Sequence, residues 1–444
     1  MLERLQRILS ELPRTARYHL AFSGGLDSSV LLHLLVQMGD RLDARLQAVH
    51  VQHGLQEAAD SWAEHCARVC RGYRIPLRQL RLGLRPRAGE SLEALARERR
   101  YAALAGVMAP GELLLTAQHR DDQAETLLLQ LLRGSGPAGL AAMPALCRFG
   151  PGWLARPLLD VTRAELQDYA EREGLCWIED PSNSDLRFDR NYLRHEIMPL
   201  LLQRWPAATS TLARSARLSA ELHLLADELA AEDLKRACGP WPGTLSVKAL
   251  LAFPSPRRRS LLRHWVSSRG GMMPGSRHLQ RIEQECLQAR QDAQPLVQWK
   301  DLEVRRYRDG LFLLQSSPVR DFTGVIHWRD RHPLRLPSGL GFLRLERAKR
   351  GISAAIWDRG RVEVRFRQGG EHCIPAGRVH HRPLKKLFQE WSVPPWQRDR
   401  IPLVYLDGQL AAIPGYLWCE PFGAAPGEPA LRIHWETADS GMNL

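Results

Sequence analysis

The sequence predicts an α/β protein: an N-terminal doubly wound parallel sheet, then a helical domain and a small β-rich C-terminal domain. Three observations carry this. Strand-like and helical apolar runs alternate from Tyr18 to about Asp180, leucines recur at helical spacing beyond Trp205-Pro206, and short apolar pieces set off by Gly and Pro fill the last third. A chain of 444 residues exceeds what one core accommodates, and these changes of pattern divide it at 1–208, 209–318 and 319–444.

In the first part the runs are His19–Phe22 (strand), Ser28–Gln37 (helix), Leu46–His50 (strand), Ala58–Arg71 (helix), Leu77–Leu82 (strand), Leu92–Met108 (helix), Leu113–Ala117 (strand) and Gln123–Leu132 (helix). Sheets of this kind bind ligands beyond the carboxyl ends of their strands, so the segments after Phe22, Val49 and Ala117 are expected to converge. Further on, Leu212, Leu218, Leu222, Leu225 and Leu229 mark one face of a long helix over Thr211–Lys235, and core packing is the default account of that face. Strand-like pieces follow at Leu311–Leu314, Gly341–Leu345, Val362–Phe366, Leu403–Leu406 and Leu410–Ile413.

The most informative stretch lies between the first strand and the first helix of the sheet, Ser23-Gly24-Gly25-Leu26-Asp27-Ser28. A tight loop opening a helix aims backbone N–H groups and the positive helix end at one point, which makes an anion site. Gly24 and Gly25 permit close approach of a phosphate, Ser23 and Ser28 add hydroxyl donors, and Asp27 can hold a divalent cation against the anion. A Walker loop needs Gly-Lys-Ser/Thr, and the first lysine of this chain is Lys235. The loop instead resembles the PP-loop, Ser-Gly-Gly-x-Asp-Ser, of the ATP pyrophosphatases, which split ATP between the α and β phosphates. A Ser-Gly-Gly turn alone reads more readily as a helix cap; the whole pattern after a strand reverses that and favours the anion site.

Around the predicted strand ends lie further polar groups. Thr116–Thr126 contains Asp121, Asp122 and Glu125; Asp122 and Glu125 share a helix face, as do Asp121 and Glu125. Such a cluster needs a cation or an amine, unless it only complements the helix N-terminus. His50 and His53 follow the second strand, where an adenosine would rest, and Arg97, Arg100 and Tyr101 share the helix before the Leu113–Ala117 strand. Arg190 and Arg194 lie on one helical face beyond an Asp180–Asp185 turn, able to clamp phosphate or a polarised base oxygen.

With 62 basic and 49 acidic residues the chain carries a formal +13, which favours an anionic macromolecule as partner. From Leu345 to Arg400 there are 13 Lys or Arg against 6 Asp or Glu, interleaved with Trp357, Phe366, Phe388, Trp391 and Trp396. That mixture suits RNA, with Lys385, Lys386, Arg398 and Arg400 as the expected phosphate contacts and the aromatics as core. Eight scattered cysteines without a C-x-x-C pair point to reduced thiols and a cytoplasmic location, and no apolar run reaches membrane-spanning length.

The loop together with HVQHGL, SLEALARERRYAAL, HRDDQAETLLLQLLRGSG, RPLL and DPSNSDLRFDRNYLR resembles, in order and spacing, the motif series of the bacterial tRNA(Ile)-lysidine synthetases. The match spans roughly the first two hundred residues, with RPLKKLFQEWSVPPWQRDRIPLVY similar to the C-terminal domain of that family; Gln52 stands where an asparagine is expected.

The resemblance implies a two-step ligation. ATP adenylates the wobble cytidine of the isoleucine tRNA with anticodon CAU, releasing pyrophosphate, and the amine of free L-lysine then displaces AMP. It implies Asp27, Asp122, Glu125 and Arg194 as catalytic residues, and Asp27 as the Mg²⁺ ligand. Ser23, Gly24, Gly25, Leu26, Asp27, Ser28, His50, His53 and Arg97 would bind ATP. His119, Arg133 and Arg190, with the C-terminal Lys385, Lys386, Arg398 and Arg400, would bind the tRNA, and a homodimer is compatible with it. Two other enzymes of the PP-loop class fit less well. A tRNA thiolase needs paired reactive cysteines and a glutamine-dependent synthetase a glutaminase, and neither pattern is present. An ATP-binding RNA scaffold would leave the carboxylate cluster without a task.

Overall fold

The computed structural model describes residues 1–52, 59–83, 92–290, 293–316 and 324–436. The chain forms two compact units, Met1–Ala226 and Asp227–Leu444.

The first unit is built on six strands: β1 (Arg17–Ala21), β2 (Arg45–Gln52), β3 (Leu77–Arg81), β4 (Leu113–Leu115), β5 (Leu146–Phe149) and β6 (Gly152–Ala155). Their order is β3-β2-β1-β4-β6-β5, parallel except for β5, which pairs antiparallel with β6. Leu113, Leu114 and Leu115 are all fully buried, as expected of a strand covered on both faces. The helices are α1 (Leu2–Ser10), α2 (Leu26–Met38), α3 (Ala59–Gly72), α4 (Leu92–Ala105), α5 (Arg120–Leu132), α6 (Pro137–Leu140) and α7 (Arg163–Arg172).

One sheet face packs Leu20, Leu113 and Leu115 against α2, α3 and α7; the other packs Val49, Leu114 and Leu154 against Leu104 and Met108. Helix α2 is apolar nearly all round because it lies inside this core, with Val30, Leu31, Leu32 and Leu34 wholly buried. Truncating one of these leucines to Ala would cost about 2–5 kcal/mol. The β5–β6 hairpin has no counterpart in the sequence reading. It needs Gly152, where a Cβ would lie 2.1 Å from the Glu112 carbonyl oxygen.

From β1 the sheet continues to β2 on one side and β4 on the other, so the strand order reverses between β1 and β4. The crevice that this reversal opens lies at the carboxyl ends of those two strands.

Beyond the sheet, α8 (Asp189–Tyr192) passes through a π turn (Leu193–Ile197) into α9 (Met198–Arg204), and α10 covers Ala208–Arg236. The expected core packing of the α10 leucine face is not found: Leu218, Leu222, Leu225 and Leu229 are 50, 62, 63 and 43 % exposed. The two units divide within this helix, and no residue from 217 to 229 is buried. Its Ala, Leu, Glu and Arg content sustains the helix without that burial.

In the second unit, α11 (Val247–Ala252), α12 (Ser255–Ser267), α13 (Ser276–Arg281) and a π turn (Ile282–Leu287) accompany a four-stranded antiparallel sheet. Its strands are β7 (Leu245–Ser246), β8 (Leu296–Trp299), β9 (Leu302–Tyr307) and β10 (Gly310–Gln315). Thus the segment read as helical also holds strands, and the Leu311–Leu314 piece belongs to it. The C-terminal part contains one seven-stranded and one four-stranded sheet, with α14 (Ala354–Arg359), α15 (Leu384–Glu390) and α16 (Pro395–Arg398). Trp357, Phe366 and Phe388 are buried there, as expected. Among the described residues no helix is long and apolar enough to cross a membrane.

Candidate active site

The loop after β1 is fixed from both sides. Phe22, 1 % exposed, donates its backbone N–H to the Val49 carbonyl at 2.9 Å, and the Gly24 carbonyl accepts from the Ile178 N–H at 2.9 Å. Gly24 has φ +82°, and a Cβ there would meet Cys66 Sγ at 2.9 Å and Ile178 Cδ1 at 3.0 Å, so only glycine fits. Gly25 caps α2 with an ordinary φ of −77°. Within the loop Ser23 Oγ lies 3.0 Å from Ser28 Oγ and accepts from the Gly25 N–H at 3.3 Å, while Ser28 Oγ donates to the Gly25 carbonyl at 3.0 Å. Leu26 is buried under the loop.

Asp27 stands in the first turn of α2, its Oδ1 buried without a hydrogen-bond partner. Burial pushes its carboxyl above the ordinary range. The neighbouring Asp122 adds to the rise, against His119, Arg163 and Arg194. A buried carboxylate oxygen with nothing to bind is what a cation bridging protein to phosphate would require.

Across the crevice β4 leads into α5, which His119 caps. The His119 ring is buried, with Nδ1 3.5 Å from Asp121 Oδ2 and Nε2 3.5 Å from Asp122 Oδ2 and 3.7 Å from Asp27 Oδ2. Burial alone would lower its pKa; Asp121, Asp122 and Asp27 together raise it above the ordinary imidazole value. Asp121 does not turn to Glu125; its Oδ2 accepts from the Arg163 N–H at the start of α7, 2.9 Å away.

Asp122 and Glu125 face Arg190 on α8 and Arg194 in the π turn. Glu125, 2 % exposed, accepts from Arg190 Nε at 2.9 Å, Arg194 Nε at 2.7 Å and Arg194 Nη2 at 3.0 Å. Asp122 Oδ1 accepts from both guanidiniums, at 3.0 and 2.9 Å, and Oδ2 from the His119 N–H at 3.0 Å. Burial would raise the Asp122 pKa; His119, Arg190 and Arg194 hold it below the usual carboxylate range. Asp27, Asp121, Asp122 and Glu125 thus gather around the His119 ring and the guanidiniums of Arg190 and Arg194.

A family model described as the PP-loop domain matches residues 1–201; the TilS substrate binding domain matches 245–312 and the TilS substrate C-terminal domain 362–435. The tRNA(Ile)-lysidine synthase of Coxiella burnetii is 42 % identical over 95 % of this chain and 94 % of its own. That of Methylococcus capsulatus is 45 % identical over 94 % and 96 %, and that of Pectobacterium atrosepticum 44 % over 98 % of each. The chain belongs to the tRNA(Ile)-lysidine synthase family.

Other residues expected to serve a lysidine synthase site are placed less centrally. His50 is 5 % exposed, its Nδ1 2.9 Å from the Phe22 carbonyl and 3.4 Å from Cys66 Sγ. Burial lowers its pKa, so a neutral ring straps β2 to the back of the loop. His53 lies outside the described residues. Gln52 donates its amide to Asp60 at 2.8 Å. Arg97 is exposed, its guanidinium 5.1 Å from the Tyr101 ring centre. Arg133 closes the far end of α5, about 20 Å along the helix from its start, and is not brought to the carboxylates.

In the second unit Lys385 and Lys386 are exposed on α15 while Leu384, Leu387 and Phe388 turn inward. Arg398 is 9 % exposed and donates Nε to the Val393 carbonyl at 3.0 Å; Arg400 is half-buried.

Cys66, Ile178 and Arg163 were not singled out from the sequence. Arg163 had a signal, the Thr162-x-x-Glu165 capping box that starts α7 beside it. Cys66 and Ile178 touch the loop only through the fold.

Proposed function

We propose that the protein ligates free L-lysine to the wobble cytidine of the CAU-anticodon isoleucine tRNA, using ATP and passing through an adenylated cytidine. The observation that carries this reading is the convergence of a PP-loop with an unpartnered Asp27 oxygen upon the Asp122–Glu125–Arg190–Arg194 network. Domain boundaries at 208 and 318 are part of this proposal; its support is the separation of the matched segments 1–201, 245–312 and 362–435.

In this mechanism the N–H groups of residues 24–28 and the Ser23 and Ser28 hydroxyls receive the pyrophosphate portion of ATP. Asp27 would hold Mg²⁺, which would supply positive charge against the departing pyrophosphate. No three His, Cys, Asp or Glu side chains cluster as a metal cage among the described residues, and one carboxylate shared with substrate phosphates suits Mg²⁺. Arg194 and Arg190 stabilise charge on the α-phosphate and the activated base; Asp122 and Glu125 hold them in place. The carboxylates of Asp122 and Glu125 receive the lysine ammonium, and one of them takes its proton as the amine becomes nucleophilic. Lys385, Lys386 and Arg400 contact tRNA phosphates.

Release of AMP and pyrophosphate, measured with and without CAU transcript and lysine, tests the reading. Pyrophosphate should require the transcript, and AMP should require lysine as well. Equal release with an unrelated tRNA would refute it.

A further inference from the structure

The His119 ring is fully buried, and neither of its nitrogens has a hydrogen-bond partner among the described residues. Buried polar atoms in that condition cost free energy unless something closes on them. Three carboxylates stand just beyond hydrogen-bond range. Nδ1 lies 3.5 Å from Asp121 Oδ2, and Nε2 lies 3.5 Å from Asp122 Oδ2 and 3.7 Å from Asp27 Oδ2.

The other partners of these carboxylates set their tasks apart. Asp121 is taken by the Arg163 N–H at 2.9 Å, and Asp122 Oδ1 by Arg190 and Arg194 at 3.0 and 2.9 Å. Among the described residues no other Lys, Arg or His side chain pairs with Asp27, so His119 alone stands in ion-pair range of both Asp27 on α2 and Asp122 on α5. With Asp27 Oδ2 toward the ring, Oδ1 is the oxygen left buried and unbound. Helix capping does not use the ring either: the side chain makes no cap hydrogen bond, and it is the His119 backbone N–H that donates to Asp122 Oδ2 at 3.0 Å.

We propose that His119 is a positioning residue whose ring bridges Asp27 and Asp122, closing on both as the site fills and holding the phosphate-side and amine-side carboxylates in one arrangement. Hydrogen bonds of this kind are long in an empty site and tighten in the complex. Full burial leaves the ring no edge to offer the tRNA. The inference rests on the tRNA-ligase reading for the amine; its metal arm needs only the phosphate loop.

The test compares wild type, His119→Asn and His119→Gln, with a thermal melt to show that each folds. Glutamine carries an amide nitrogen close to the reach of Nε2, whereas asparagine stops near Nδ1 but is the better helix cap. Mn²⁺, a paramagnetic stand-in for Mg²⁺, is titrated by electron paramagnetic resonance into the full chain with α,β-methylene ATP, which cannot release pyrophosphate. His119→Asn should weaken Mn²⁺ binding by about 10–100-fold, as loss of a group that orients a metal ligand does. It should also raise the lysine KM, and His119→Gln should keep most of both. A cap role predicts the reverse order, with His119→Asn like wild type and His119→Gln weaker. That order, or equal loss in the two variants, would overturn the inference. Should wild type add no lysine to the CAU transcript, the proposed function fails, while the Mn²⁺ comparison still reads the bridge.

Discussion

Glu125 and Arg194 form a two-point pair, Arg194 Nε to Glu125 Oε1 at 2.7 Å and Nη2 to Oε2 at 3.0 Å, with the carboxylate 2 % exposed. Such a pair adds little net stability over a well-packed apolar replacement, but breaking it strands a buried charge. Arg194→Ala should lower unfolding free energy by roughly 3 kcal/mol, because Glu125 keeps Arg190 alone. Urea unfolding measures this, and Arg194→Ala with Glu125→Gln should recover part of the loss. A single variant as stable as wild type would show that the pair does not hold α5 to the π turn.

Asp27→Asn should abolish pyrophosphate release at saturating tRNA while leaving tRNA affinity nearly intact. Burial raises the Asp27 pKa, so a neutral group of the same shape should leave the melting temperature unchanged or higher. Near wild-type release would remove the metal role.

Asp122→Asn should raise the lysine requirement far more than the ATP requirement, because a carboxylate that complements the ammonium is lost. Initial rates with each substrate varied in turn give the comparison. An equal rise for both would assign Asp122 to metal or to folding instead.

Acid should loosen the same network. Asp122 has a folded-state pKa held below its unfolded value by His119, Arg190 and Arg194 despite burial, so its contribution is present above the unfolded value and lost as pH falls through the folded one. Stability measured by urea at successive pH values below about 4 should therefore fall less steeply for Asp122→Asn than for wild type. Parallel curves would contradict this.

Lys385→Ala with Lys386→Ala should weaken tRNA binding and reduce its salt slope by about 0.7–0.9 per lost contact, without altering lysine or ATP requirements. Both side chains project from α15 into solvent, so the fold should be unaffected. An unchanged slope would take them off the RNA surface.

Much of the first unit was legible because strand and helix periods alternate cleanly and Ser23–Ser28 is a local pattern with a local purpose. The carboxylates could likewise be read from one helix. That Arg190 and Arg194 close on Asp122 and Glu125 could not, since 65 to 72 residues separate the partners and only the fold joins them. Periodicity also misled where burial was inferred from it: the α10 leucines repeat as a core face would, yet 217–229 has no buried residue. The β7–β10 sheet was hidden for the opposite reason, its strands being short and set among stronger helical signals.

Labelled lysine shows whether the amino acid is joined to the wobble cytidine. With the full chain, ATP and a CAU-anticodon isoleucine transcript, label should enter the tRNA in equal amount to the AMP and pyrophosphate released, and nuclease digestion should place it at the wobble nucleoside. A transcript with uridine at that position should take up none. Label entering both transcripts alike, or AMP released without label in the tRNA, would contradict the account.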